Sequence, residues 1–327
     1  MTGSIPLVRV VRSGLEESVH LGDVAVCDED GRLLASGGDP LRRVFARSCM
    51  KPLQAAVSLR AIDEELSVRE LAVMCSSHNG EPVHVGAVRG LLRRAGLDGS
   101  TLRCPPDWPL DPQSMARSIH PHRELSDCSG THAGMLLACV GAGWDVSTYA
   151  RASHPLQHRV LRAVLRGTDL ESVRLGVDGC GVPVHGMPLA SMATLYARLA
   201  RPERFGYLEA QVDACVEAML AEPYMVGGRD RVDTAIMTET GDVVAKGGAE
   251  ALYCAGVLSS GIGIAAKIAD GGGRAGRAAL LRTLDLLGAI SADQLSALEP
   301  YARPAVVGGD RRVGDLVADF ELRRRRG

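Results

Sequence analysis

Strand patterns crowd the two ends of this chain and helical patterns fill its middle. Because strands and helices cluster instead of alternating one by one, the pattern points to an antiparallel sheet rather than a parallel doubly wound one. Near the start, 6–12 and 18–27 are rich in valine, and Asp28-Glu29-Asp30-Gly31 supplies a turn before 32–35, as in a hairpin. Apolar residues then recur at helical spacing through 52–62, 68–74, 83–95, 132–140, 155–165, 189–199 and 207–220. The strand signal returns at 234–237, 242–245, 251–257 and 262–268. Helices are expected over 273–290 and 292–301, with a last strand over 314–322. The expected fold is therefore α+β: strands from both chain ends form one sheet packed with helices. A single catalytic domain over 1–327 is expected, mostly helical over 48–225. The loop 104–126, with five prolines and Trp108, is long enough to be a lid or linker.

The 327 residues can bury a full core without staples, and 46% of them are hydrophobic. Charges nearly cancel, 37 basic against 39 acidic, so neither nucleic acid nor a membrane surface is an expected partner. No stretch reaches the length of an apolar transmembrane helix. Arginines interrupt 1–12, which lacks the apolar run of a secretory signal, and nine cysteines without a C-x-x-C pair do not read as a disulfide framework. Both observations suggest a reducing, cytoplasmic setting. The arginine run 323–326 reads as a solvated tail.

Among the basic residues only Lys51, Lys246 and Lys267 are lysines, and Asn79 is the sole asparagine. A GC-rich coding bias accounts for the scarcity. Such a bias should spare lysine where arginine cannot serve, because a buried lysine can lose its proton and arginine cannot. Lys51 stands three residues after Ser48, so a helix would place both on one face, and Pro52 marks the first helical turn. That is the geometry of a Ser/Lys nucleophile with an oxyanion site at the helix N-terminus. Cys75-Ser76-Ser77-His78-Asn79-Gly80-Glu81 gathers hydroxyls, an imidazole, an amide and a carboxylate. It can equally be a turn in which Ser77 or Asn79 caps the next helix. The order S-x-x-K then S-x-N also follows the layout of serine β-lactamases and penicillin-binding proteins. Lys267 ends a Gly-rich alternating strand, where desolvation would make it a base, or where it could simply protect a sheet edge. Lys246 precedes a Gly-Gly turn, with either a K-x-G role or none.

Cys128, in Asp127-Cys128-Ser129-Gly130, and Cys180, in Asp178-Gly179-Cys180-Gly181, stand beside glycines that suggest reachable sulfurs for zinc or nucleophilic chemistry, or plain turn cysteines. Cys139 and Cys215 fall on apolar helical faces and read as core.

Taken together, these motifs resemble the asparaginase II family of class 3, rhizobial-type L-asparaginases. The resemblance runs through Glu17-Ser18-x-His20, Arg47-Ser48-x-x-Lys51-Pro52, Ser77-His78-Asn79-Gly80-Glu81, Asp127-Cys128-Ser129-Gly130-x-His132, His154-Pro155-x-Gln157, Asp178-Gly179-Cys180-Gly181, Arg231-x-Asp233-Thr234, Lys246-x-Gly248 and Lys267-x-x-Asp270-Gly271. It implies a fold related to serine β-lactamases and glutaminases, a homodimer, and hydrolysis of L-asparagine to L-aspartate and ammonia. It also implies two catalytic pairs, Ser48 with Lys51 and Ser77 with Lys267. In that family zinc is held by two cysteines, matching Cys128 and Cys180, and by a lysine three residues after the first. Thr131 stands at that position here, so zinc is expected to be weak or absent, unless His132 substitutes. Asp178 would orient the site or the substrate. His78 and Asn79 are further candidates for substrate contact; charge complementarity adds Arg47 or Arg231 for the substrate carboxylate and Glu81 or Asp233 for its ammonium. Two other readings stay open: another Ser–Lys amidohydrolase, of glutaminase or β-lactam type, and a catalytically silent amino-acid-binding protein.

Overall fold

The computed structural model describes residues 3–324. They gather into two compact units, the first comprising residues up to Cys49, Met187–Arg201 and those from Ala235 onward, the second Met50–Gly186 and Pro202–Thr234.

The first unit is built on the expected sheet. Its strands run in the order Ala305–Gly308, Arg311–Ala318, Ile5–Arg12, Leu15–Cys27, Ile262–Ile268, Leu252–Val257, Val243–Gly248. Every pairing along this path is antiparallel, so both chain ends contribute to one sheet as the clustered strand patterns implied. Leu33–Gly37 pairs with Leu15–Cys27 and with Arg323–Arg324. The start of the arginine run is thus paired backbone, with Arg323 and Arg324 both solvent-exposed, while Arg325 and Arg326 lie outside the described residues.

Small residues let helices lie close on both faces. Gly256 and Gly263 are cross-strand partners, and the helix Leu189–Leu199 passes over them so closely that a Cβ on Gly263 would stand 1.9 Å from the Ala193 carbonyl oxygen. On the opposite face Tyr253 packs against Gly276 of the helix Gly273–Leu286. The buried Asp23 is fixed where the first two strands meet the turn. It accepts from Ser4 Oγ at 2.8 Å, from Arg42 at 3.0 Å and from the Asp39 amide at 2.7 Å. Such a set satisfies the hydrogen-bonding capacity of a carboxylate that has no access to water.

The second unit is mainly helical, with Lys51–Leu59, Val68–Met74, Pro82–Arg94, Pro112–Arg117, Ser129–Gly141, Pro155–Thr168 and Glu209–Ala221. Its caps match the sequence chemistry. Ser67 and Glu70 form a capping box, and Glu81, rather than Ser77 or Asn79, precedes the next helix as its N-cap. The loop 104–126 carries the short helix Pro112–Arg117, started by Asp111 accepting from the Ser114 amide at 2.7 Å.

The strand expected over 234–237 is instead part of the helix Val232–Thr240. The run is apolar and partly β-branched, but its buried residues Val232, Ile236 and Met237 recur at helical spacing, and burial of that face outweighs strand propensity. A short hairpin of Arg174–Val177 against Pro183–Pro188 was not expected; it turns through Asp178–Gly181, where Gly181 has a φ of 93°. No helix among the described residues is long and apolar enough to cross a membrane.

Candidate active site

Ser48 lies in a 3-10 turn, Arg47–Met50, that leads into the helix starting at Lys51. Arg47, immediately before it, has a left-handed φ of 45°, a conformation that costs a non-glycine residue about 1 kcal/mol or more and persists where the surroundings require it. Among the described residues the Ser48 hydroxyl has no hydrogen-bond partner.

Lys51 is buried in the second unit. Its Nζ donates to the Ser76 carbonyl at 2.6 Å and to Ser77 Oγ at 2.9 Å. Burial works to strip the proton, but the neighbouring Cys128, Asp127 and Cys180 outweigh it and leave the lysine pKa raised. Lys51 therefore rests as an ammonium, where sequence reasoning expected a neutral base. Asp127 keeps its own pKa low: burial opposes ionisation, and Lys51, the Cys128 thiol, His78 and Arg231 overcome it.

The 77–79 segment is stretched between two others. The Ser77 amide bonds to Val226 O, the His78 amide to Asp127 O and the Asn79 amide to Gly227 O. His78 accepts at Nδ1 from the Gly80 amide at 3.0 Å, so its Nε2–H faces Ser129 Oγ at 2.9 Å, and that hydroxyl donates on to Glu124 O. Burial, then the neighbouring His84, holds the imidazole well below its ordinary pKa. His78 is thus a neutral brace. Glu81 is also fully engaged, accepting from Tyr224 Oη at 2.5 Å and from the Arg229 amide at 3.0 Å. Asn79 donates to Arg229 O at 2.7 Å and meets the Arg231 guanidinium only loosely, at 3.4 Å. Of the charged candidates in this unit, Arg231 keeps the most donor capacity. Asp233 is buried at the start of the following helix, and Asp178 closes its tight turn by accepting from the Gly179 amide.

Lys267 and Arg47 belong to the first unit. Half-buried on Ile262–Ile268, Lys267 donates to Ile268 O at 2.6 Å and to the Glu250 carbonyl. Two consecutive left-handed residues, Glu250 and Ala251, shape the turn that supplies that carbonyl. Burial, followed by the Arg42 charge, lowers the lysine pKa, with Glu250 and Asp270 opposing and Arg47 adding a smaller push. Lys246 is wholly buried, its Nζ donating to Gly247 O at 2.7 Å.

None of the nine cysteines forms a disulfide and all are buried, Cys128 and Cys180 included, so the flanking glycines do not leave their sulfurs open. The neighbouring Cys128 holds the Cys180 pKa down against burial, with His132 and Lys51 adding to the effect. His132 accepts or donates at Nδ1 with Tyr149 Oη at 2.6 Å, and its buried Nε2 has no hydrogen-bond partner. The zinc donor set is nevertheless not assembled. Thr131 Oγ1 donates to Met74 O at 2.8 Å, and among the described residues no three His, Cys, Asp or Glu side chains are grouped to hold a metal ion. Two sulfurs and a committed hydroxyl do not make a tetrahedral zinc site.

Sequence reasoning missed Asp127, Glu250 and Tyr149. Asp127 and Glu250 carried no signal beyond standing in motifs read for their neighbours, and Tyr149 none at all.

The family model described as L-asparaginase II matches residues 8–318. No curated protein matches the chain. Among solved structures it is similar to a β-lactamase from Mycobacterium bovis, at 17% identity and a TM-score of 0.41, over 86% of this chain and 95% of that one. A protein from Bacteroides dorei, provisionally described as a β-lactamase, is similar at 13% identity and 0.43, over 81% and 93% respectively.

Proposed function

Since the chain belongs to the L-asparaginase II family, we propose that it hydrolyses L-asparagine to L-aspartate and ammonia, with Ser48, Lys51, Ser77 and Lys267 carrying the reaction. The observation that supports this most directly is the buried hydrogen bond from Lys51 Nζ to Ser77 Oγ. A primary amide needs a nucleophile, a base for its proton and an acid for the departing nitrogen. Ser48 is the nucleophile: its hydroxyl is uncommitted, whereas that of Ser77 is already held by a lysine. Lys267 is the base, because its surroundings favour the neutral amine. Lys51 is the acid, because its surroundings keep the proton, and Ser77 relays it.

In the first half-reaction Ser48 Oγ bonds to the amide carbon and its proton passes to Lys267. The carbon–nitrogen bond then breaks as Lys51, through Ser77, protonates the leaving ammonia. Water attacks the resulting ester, giving one proton to Lys51 and freeing L-aspartate and Ser48, which recovers its proton from Lys267. Arg231 binds the substrate α-carboxylate.

The direct test is ammonia release from L-asparagine and L-glutamine by the wild-type protein, with the larger kcat/KM expected for asparagine. Absence of ammonia from both would overturn the reading, and a glutamine preference would move it to a glutaminase. No step runs through zinc, so stripping divalent metal with a chelator should leave the rate unchanged. A rate lost on chelation and restored by zinc alone would show that the Cys128–Cys180 pair recruits a donor absent from this arrangement.

A further inference from the structure

A cavity of about 420 Å³ in the second unit is lined by four arginines, Arg60, Arg159, Arg162 and Arg166, over a floor that includes Val57 and Leu208, and no carboxylate lines it. Arg159, Arg162 and Arg166 stand at i, i+3 and i+7 on the helix Pro155–Thr168, so they project from one face. Arg60 closes the C-terminal end of Lys51–Leu59.

Elsewhere on this chain arginines commonly meet acids, as Arg9 meets Glu16, Arg94 meets Glu70 and Arg312 meets Asp315. Arg60 and Arg162 carry no ion pair among the described residues. Favourable interaction with helix C-termini accounts for Arg60 and Arg166. It does not account for Arg159, near the start of its helix, or for Arg162 in the middle. Arg166 lies 5.9 Å from the Tyr207 ring, and Arg159 is held over the Trp144 ring at 4.7 Å, a contact that orients its guanidinium plane without neutralising it. Like charges converging on one cavity repel, and an anion bound there relieves that repulsion. The volume and apolar floor suit a small organic molecule rather than a bare ion.

We propose that this cavity is a binding site for an organic polyphosphate of the nucleoside di- or triphosphate class, the guanidiniums holding phosphates and the apolar floor the organic body. The site is separate from the residues assigned to amide hydrolysis, and its test does not depend on that activity. Calorimetric titration of the full chain with ATP, tripolyphosphate and adenosine, at low ionic strength without divalent cation, reads it directly. ATP is expected to bind and to raise the melting temperature, tripolyphosphate to bind more weakly, and adenosine to bind at least about tenfold more weakly than ATP. The Arg60→Gln/Arg162→Gln double variant should lose at least about tenfold in ATP affinity while its ammonia release and unliganded melting temperature stay at wild-type values. The single Arg162→Gln, a mid-helix exchange between good helix formers, should show part of the loss. Arg93→Gln, at an exposed site outside the cavity, should show none. Failure of ATP to bind the wild type would overturn the proposal. So would unchanged affinity in the double variant, an equal loss in Arg93→Gln, or tripolyphosphate binding as tightly as ATP.

Discussion

Ammonia release from L-asparagine is expected to fall by roughly 10³–10⁴-fold in kcat/KM in Ser48→Ala and in Lys267→Arg, each with the fold retained by circular dichroism. The two variants remove different things. Ser48→Ala deletes the atom that would bond to substrate. Lys267→Arg keeps a cation and a long stem but installs a group that stays protonated at any usable pH. If Lys267 served only to hold charge near the Glu250 turn, arginine would be tolerated, and a loss of less than about tenfold would sink its role as base. The same assignment sets the pH dependence. Lys267 has its pKa lowered from 10.5, first by burial and then by Arg42, so the neutral amine gains population as pH rises, starting earlier than for an ordinary lysine. The wild-type kcat/KM, which reports the free enzyme, should therefore climb along a limb centred below 10.5. A limb at or above that value would mean that the base is unperturbed.

The sheet and most helices were legible because their signals are local and periodic. The matches at Val68–Met74 and Leu189–Leu199 reflect long apolar spacing bounded by cap or proline residues. The strand expected over 234–237 failed because so short a run, with three apolar residues, fits either period, and only the burial of Val232, Ile236 and Met237 chooses between them. The site was legible as a set of residue types and not as a charge distribution. Spacing suggests Ser48 and Lys51 on one helix face, whereas Ser48 lies in the turn before that helix and Lys51 bonds to Ser77. Nothing in the spacing says that Cys128, Asp127 and Cys180 together would raise the Lys51 pKa, or that Ser77 would receive its hydrogen bond from Lys51. Those are long-range contacts, made by a loop and a hairpin with weak patterns of their own. Arg47 shows the same limit: no local pattern marks it as left-handed, yet that conformation immediately precedes the proposed nucleophile.

Gly263→Ala should be strongly destabilising to the first unit. A Cβ there would lie 1.9 Å from the Ala193 oxygen and 2.3 Å from the Ala197 nitrogen. Both are backbone atoms of the Leu189–Leu199 helix, so no rotamer change can relieve the clash, and the helix must lift off the strand. Overpacking of this kind costs about 3 kcal/mol, which for a chain of this size lowers Tm by roughly 4–5 °C. The control is Gly86→Ala, on the helix Pro82–Arg94, where an added methyl meets nothing within 4 Å and alanine is the better helix former, so Tm should hold or rise slightly. Thermal melts of the two variants decide the matter, and a Gly263→Ala protein melting with the wild type would show that the helix and strand are not in register as described. Activity supplies a second readout. Side chains alternate along a strand, so residues 263, 265 and 267 share one face. Raising the helix from Gly263 therefore disturbs the face that bears Lys267, and at temperatures well below its Tm the variant should also release ammonia more slowly.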